Sequence, residues 1–320
     1  LVHVTGDRIG DALIKWPIIV ALKKALVNYR LVWLAGLRES VFNGPLAPLA
    51  AGVIDEVRDV AGVGVSWREF MRPPPAGTFD IVIATEPKLR SALLLRRIRH
   101  QVFISPVLNF HLSDRKPAVP YPTSVYEQMR LLATLAVGRE LEVDPVIRID
   151  AEISALARAL LPASGVYIGF APGAARSRKR WPLTRFIELA NAQKKVGRTP
   201  VFFLGPIESS LRGALAMAVP GALFPEQSPL VDGRGGPLLS IALAARTALG
   251  VANDAGGGHL LAAGGRPLIT LFGHTSEHKF KPPYGPRIAI TAREYGGTEM
   301  TRIPVERVAE AIEAVLRTSV

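Results

Sequence analysis

Twice along this chain, short apolar runs of strand length alternate with stretches of helical periodicity, and this double alternation constrains the fold more than any other feature. In the first series, residues 2–5 read as a strand, and Gly6 and Gly10 mark a turn. Residues 11–26 then repeat apolar side chains at helical spacing until the polar stretch 28–30. Residues 30–35, 79–84 and 101–104 read as further strands, with a breaker run at 73–77 and helices over 91–99 and 124–137. Residues 138–150 read as the end of this unit. The second series predicts helices over 151–161, 183–195, 209–218, 238–248 and 305–317, and a helix start at 258–263. Its strands fall at 166–170, 200–204, 249–252 and 267–272.

Such a pattern predicts an α/β protein of two parallel-sheet domains, 1–150 and 151–320, with helices on both faces of each sheet. Ligands of such folds sit at the carboxyl ends of the strands, and with two lobes the expected place is the cleft between them. The length of 320 residues suits two domains of roughly 150 residues each. With 48% apolar and 21% charged residues, the composition is globular rather than disordered. No cysteine is present, which excludes disulfides and thiolate metal sites. The most apolar runs, 16–26 and 238–252, are cut by Lys23, Lys24 and Arg246, whereas a bilayer span needs ~20 largely uncharged residues. Asp7, Arg8 and Asp11 come too early for a signal peptide, so a cytoplasmic protein is expected.

The formal charge is +12, and residues 1–150 hold 19 Lys+Arg against 15 Asp+Glu, so most of the excess lies beyond them. A basic surface favours anionic partners without choosing among nucleic acid, anionic lipid and phosphorylated substrate. The cations are not interleaved with stacking aromatics, which make up 7% of residues, so no nucleic-acid partner is expected.

Four segments carry candidate chemistry. An apolar strand runs into Asn253 and Asp254, then Ala255, Gly256, Gly257 and Gly258, with His259 opening an Ala/Leu-rich helix. Unpaired N–H groups at a helix start, with the helix dipole behind them, bind anions, and glycines let a phosphate approach the main chain. The same residues also read as an N-cap aspartate beside a flexible loop. Next, Pro172 and Gly173 end a strand, Ala174 and Ala175 follow, and Arg176, Arg178, Lys179 and Arg180 precede Trp181 and Pro182 at a helix start. Such cations suit a diphosphate, although charge runs are commonly solvated loops. Third, Asp7 and Asp11 flank the first strand-to-helix turn beside Gly10, and either could act in a site or cap the helix. Finally, Glu208 follows a strand and a Gly-Pro turn, where a carboxylate could take both hydroxyls of a ribose or stabilise a helix start.

Other chemistries find no foothold. There is no G-x-x-x-x-G-K-[ST] loop, no G-x-G-x-x-G after a strand and no G-x-S-x-G. His274 and His278 are four apart but lack the acid of a zinc motif, so no metal is expected.

Taken in order, IGDALIKWP (9–17), FDIVIATEPKLRSALLLRRI (79–98), PGAARSRKRWP (172–182), FLGPIE (203–208), NDAGGGHLLAAGGRPLITLFGHT (253–275) and IPVERVAEAIEAVL (303–316) resemble the ADP-heptose:lipopolysaccharide heptosyltransferases. This resemblance, to glycosyltransferase family 9, implies a GT-B fold of two Rossmann-like domains facing across a cleft. It implies an acceptor-binding first lobe, a donor-binding second lobe and inverting, metal-independent transfer without a cofactor. It leaves open that the last helix packs back on the first lobe. By position Asp11 matches the family's general base, Lys179 the lysine that neutralises the donor diphosphate, and Glu208 the acid at the ribose. Gly10, Gly173, Ala174, Ala175 and the run Asp254 to His259 match donor-contacting positions. Family members often carry hydroxyl residues where Ala174 and Ala175 stand.

The expected function is therefore transfer of a sugar, with heptose from an ADP-linked donor as the leading choice, onto a lipopolysaccharide core or related glycan. The basic surface suits an anionic lipid-linked acceptor and peripheral contact with the cytoplasmic face of an inner membrane. Arg90, Arg96, Arg97 and Arg99 are candidates for that contact, or else a solvated helix face. A nucleotide-sugar epimerase of GT-B fold and a catalytically silent nucleotide-sugar-binding protein are the alternatives.

Overall fold

The computed structural model describes residues 1–64 and 66–318, and the chain divides into two compact units. The first comprises Leu1–Pro145 with His278–Lys281, the second Val146–Glu277 with Pro282–Val320.

Unit 1 contains β1 (Val2–Val4), α1 (Ile9–Ala25), β2 (Val32–Ala35), α2 (Ala47–Ala50) and β3 (Glu56–Arg58). It continues with β4 (Thr78–Ala84), α3 (Leu89–Leu95), β5 (Arg99–Ile104) and α4 (Val125–Val137). The five strands form one parallel sheet in the order β3-β2-β1-β4-β5. Helix α1 is apolar nearly all round, and Ala12 to Ile14 and Trp16 to Ile19 are all buried, as expected of a helix enclosed on several sides. It packs against α4, whose Met129, Leu132, Ala133 and Ala136 form a buried stripe at helical spacing. Burying Met129 and Leu132 contributes roughly 2 kcal/mol each. Gly138, at φ 81°, ends α4 in the left-handed conformation that glycine adopts without strain.

Unit 2 contains α5 (Ala151–Leu160), β6 (Tyr167–Ala171), α6 (Leu183–Lys195), β7 (Thr199–Phe202), α7 (Arg212–Ala218) and α8 (Pro237–Ala244). Then follow β8 (Leu249–Asn253), α9 (Gly256–Ala263), β9 (Leu268–Phe272), β10 (Arg287–Thr291) and α10 (Val305–Thr318). Its parallel sheet runs β10-β9-β8-β6-β7. Phe170, Phe186, Phe202 and Trp181 fill the core, with Trp181 and Phe186 packed edge to face at 5.0 Å.

Both units are α/β with parallel sheets, as the double alternation predicts. Two strands were not expected from sequence, β3 and β10. Each lies at a sheet edge, and β3 carries Glu56 and Arg58 in a stretch without the apolar run of a central strand. The last helix belongs to the second unit. Val305, Val308, Ala311, Ile312 and Val315 of α10 lie in the core of unit 2, against α6, β8 and β9. Arg198 and Glu313 pair through two hydrogen bonds, fixing α10 beside the start of β7. Its apolar stripe is thus matched within its own unit.

His3 of β1 is fully buried, its Nε2 3.4 Å from the Val63 carbonyl. Burial pushes its pKa down from 6.5 to about 4, opposed by Glu86 and assisted by Lys88 and Lys15. The unfolded chain takes a proton near 6.5 and the folded chain only near 4, so stability is full above 6.5 and falls as pH drops through that window. The expected contribution is roughly 3 kcal/mol between these limits. Urea unfolding from pH 7 to 4 should therefore show a steeper loss in the wild type than in His3→Leu. Parallel curves would show that His3 does not titrate as described.

Candidate active site

The order of the second sheet reverses between β6 and β8, and at such a switch point the two following loops diverge and leave a crevice. Here those loops are the basic segment after Ala171 and the turn after Asn253. Asn253 is fully buried and joins them. Its Nδ2 donates to the Pro172 carbonyl at 2.7 Å, and its Oδ1 accepts from the Trp181 N–H at 3.0 Å. The basic loop is thus held at both ends. In its middle a 3-10 turn, Ser177–Lys179, places Lys179 over the neighbouring loop. Lys179 Nζ donates to Asp254 Oδ2 at 2.6 Å and to the Asp254 carbonyl at 3.1 Å.

Asp254 Oδ2 also accepts from Thr275 Oγ1, at 2.7 Å, from the loop after β9. Three strand ends therefore meet at one carboxylate. The sequence reading singled out neither Thr275 nor a role for Asn253; both bonds span distant stretches of chain, so no local pattern announces them. Arg176 and Arg178 are exposed beside this cluster. Desolvation and the charges of Arg178, Lys179 and Arg176 push the pKa of His274 down, against Asp254, which marks the local field as positive.

Helix α9 starts at Gly256 rather than at Gly258, and Ala255 is its N-cap with no side-chain hydrogen bond. This corrects the reading of Asp254 as a capping residue, since its carboxylate is turned to Lys179 and Thr275. It also corrects the glycines' status as a loop, because they form the helix's first turn. Their N–H groups have no partner within the helix. The three glycines meet different surroundings. A Cβ at 258 would lie 2.8 Å from the Asn253 carbonyl oxygen, and one at 257 would lie 3.1 Å from Ala171 Cβ, whereas one at 256 would meet nothing within 4 Å. Gly258 is required by close packing, while Gly256 faces open space. His259, half-buried, follows one residue later.

Glu208 stands after β7 with its carboxylate against Gly173: a Cβ there would lie 2.6 Å from Glu208 Cδ. Among the described residues its carboxylate accepts no hydrogen bond, so both carboxylate oxygens remain available to a ligand. Ala174 is buried, its carbonyl accepting from Arg180 Nε at 2.7 Å, while Ala175 is exposed. The structure thus gathers Gly173, Lys179, Glu208 and the run from Asp254 to His259 at the carboxyl ends of β6, β7 and β8.

In unit 1 the two competing aspartates separate. Asp7 is 7% exposed and accepts three hydrogen bonds, from Trp33 Nε1 at 2.9 Å, Ser40 Oγ at 2.8 Å and the Val41 N–H at 3.0 Å. Asp11 lies in the first turn of α1, one residue after the buried Gly10, and its carboxylate accepts no hydrogen bond among the described residues. Neither caps the helix, whose N-cap is Arg8. Beside them, at the switch point between β1 and β4, Glu86 accepts from Thr5 N at 2.9 Å and Thr5 Oγ1 at 2.7 Å, and pairs with Lys88 at 2.5 Å. Burial works to raise the Glu86 pKa, but the bonds from Lys88 and Thr5 outweigh it and hold the carboxyl below its usual range.

The arginines proposed for an anionic partner are mostly occupied internally. Arg90 donates to the Gly64 carbonyl and Arg96 to the Leu112 carbonyl. Arg97 donates to the Phe70 and Arg72 carbonyls at 3.1 and 3.0 Å. Arg96 and Arg97 tie loops to the end of α3 while remaining exposed, and Arg99 is exposed on β5. Among the described residues, no group of three or more His, Asp or Glu is placed to hold a metal ion.

A family model described as glycosyltransferase family 9 (heptosyltransferase) matches residues 68–303. No curated protein matches the chain in sequence. Among solved structures, it is similar to a glycosyl transferase family 9 protein from Veillonella parvula, at 21% identity and TM-score 0.73, over 99% of this chain and 96% of that one. It is similar to E. coli heptosyltransferase WaaC with ADP, at 21% identity and TM-score 0.65, over 98% and 96% of the two chains. The E. coli ADP-heptose lps heptosyltransferase II gives 20% identity and TM-score 0.66 over 99% and 98%. These likenesses show the GT-B fold.

The contrast between the aspartates has a measurable consequence. Asp7→Ala strands a buried indole N–H and a hydroxyl, and is expected to lower stability by about 3 kcal/mol. Asp11→Ala is expected to change it by less than about 0.5 kcal/mol. Chemical denaturation of the two variants checks this, and equal losses would refute the division of roles.

Proposed function

The chain belongs to glycosyltransferase family 9, the heptosyltransferase family, and from that premise we propose that it moves a sugar from an ADP-linked donor onto an anionic, lipid-linked saccharide. The leading donor is ADP-heptose and the leading acceptor a lipopolysaccharide core or related glycan, met at the cytoplasmic face of an inner membrane. The observation that carries the reading is the Lys179–Asp254–Thr275 cluster beside the open first turn of α9. A diphosphate seated there would meet main-chain N–H groups, the positive end of the helix dipole and a cation that already has a fixed position. Among the similar structures, one holds E. coli heptosyltransferase WaaC with ADP and another the same enzyme with ADP-2-deoxy-2-fluoro heptose.

In the proposed reaction, Asp11 removes the proton from an acceptor hydroxyl as its oxygen attacks the anomeric carbon. The bond from that carbon to the diphosphate breaks, and ADP leaves with its charge stabilised by Lys179 and the α9 N–H groups. Attack opposite the leaving group inverts the anomeric centre. The free carboxylate of Glu208 would take the ribose hydroxyls, and Asp254 would hold the sugar. Asp11 suits a base because, among the described residues, no internal donor holds its proton-accepting oxygens.

Asp11→Ala is expected to reduce transfer by about 10²–10⁴-fold with donor affinity nearly unchanged. Lys179→Ala is expected to weaken ADP binding about ten-fold or more, as befits loss of a charge-assisted bond. A thermal-shift titration across nucleotides and nucleotide-sugars, followed by transfer assays, reads both. Wild-type turnover in Asp11→Ala would remove it as the base. Conversion of the donor with no acceptor present would point instead to an epimerase.

A further inference from the structure

Between β3 and β4 a short 3-10 turn, Trp67–Met71, is locked on the inside and apolar on the outside. Ser66 and Glu69 form a capping box, and Glu69 Oε2 accepts from the Gly64 N–H at 2.9 Å. Arg97 holds the Phe70 and Arg72 carbonyls and lies over the Phe70 ring at 5.8 Å. Trp67 stacks on Phe70 at 5.4 Å, with the planes 19° apart. Despite this internal bracing, Trp67 remains 60% exposed and Met71 81%.

Arg68 and Arg72, each next to one of these apolar side chains, are also exposed. Glu69, the one acid between residues 61 and 77, is buried and turned inward. Asp59, just before, is held by Ser40 N and Asn43 Nδ2, both at 2.7 Å. The outward charge of the turn is therefore positive alone. A tryptophan and a methionine four positions apart on a braced turn, rimmed by arginines, have the amphipathic character that favours the interface of a bilayer. The rim is complementary to anionic headgroups.

We propose that the Trp67–Met71 turn is a membrane-surface anchor, setting Trp67 and Met71 among the headgroups of an anionic bilayer while Arg68 and Arg72 pair with lipid phosphates. Its purpose, bringing the enzyme to a lipid-linked acceptor, rests on the function proposed above; the contact itself does not.

The protein carries its own probe. Trp16, Trp33 and Trp181 are 4%, 0% and 1% exposed, so Trp67 is the only one of the 4 tryptophans open to solvent. With vesicles of phosphatidylglycerol and phosphatidylethanolamine, the protein should co-sediment and its emission should shift to the blue. Trp67→Phe should keep the binding and abolish the shift. Trp67→Ala with Met71→Ser should weaken binding about ten-fold or more. Arg68→Gln with Arg72→Gln should weaken it about 25-fold, or about five-fold per cation. No co-sedimentation, or equal binding to phosphatidylcholine vesicles, overturns the proposal. So does a blue shift that grows with protein concentration without lipid, which would assign the turn to contact between copies. ADP-induced thermal stabilisation, measured on the same samples, separates the two readings. Loss of vesicle binding with ADP stabilisation intact sinks the anchor alone, and the reverse sinks the sugar-transfer reading alone.

Discussion

The buried carboxamide of Asn253 holds both ends of the basic loop, through the Pro172 carbonyl and the Trp181 N–H, and the second unit's candidate site depends on that grip. Between those ends the loop is made of glycine, small residues and cations, with little apolar surface to dock it. Like charges repel, and a run of them left unanchored would stay solvated. Enclosing an amide away from water is costly unless its donor and acceptor are both satisfied, so Asn253 is useful only with the loop in place. The strand end thus has an inward and an outward residue: Asn253 fixes backbone, and Asp254 fixes the one cation that the loop delivers to it.

The same separation of tasks recurs in the first unit. Asp7 and Asp11 lie four positions apart around the first strand-to-helix turn, yet one is enclosed by three donors and the other has none. A carboxylate saturated with hydrogen bonds has its lone pairs committed to internal donors. A bare one keeps its lone pairs open to an incoming group. Glu86, held by Thr5 and Lys88, is of the first kind, and Glu208 of the second.

Sequence alone revealed the parallel α/β architecture because buried strands of parallel sheets are near-continuous apolar runs, as in residues 81–84, 249–252 and 267–272. It missed β3 and β10 because edge strands need no such run. The basic loop, the glycine turn and the free acids were all visible as residue types after strand ends, and family likeness put them in order. What sequence left open was decided by contacts between distant stretches. Trp33 and Ser40 claim Asp7, Thr275 claims Asp254, and backbone carbonyls claim the arginines of α3 and its end. None of these bonds leaves a local periodicity. The start of α9 was misplaced by two residues because glycine has low helix propensity, and here tertiary contact with Asn253 and Ala171 overrides it.

The unequal surroundings of the three glycines also bear on how such an enzyme could change its preference over generations. Position 258 is closed to any side chain by a carbonyl, and 257 is tight against Ala171 of the neighbouring strand. Position 256 lies at the mouth of the helix, where a Cβ would meet nothing within 4 Å. A side chain at 256 can therefore be added without disturbing the packing around Gly257 and Gly258, so the glycine run combines a fixed scaffold with one position where a substitution would change what an incoming anion meets.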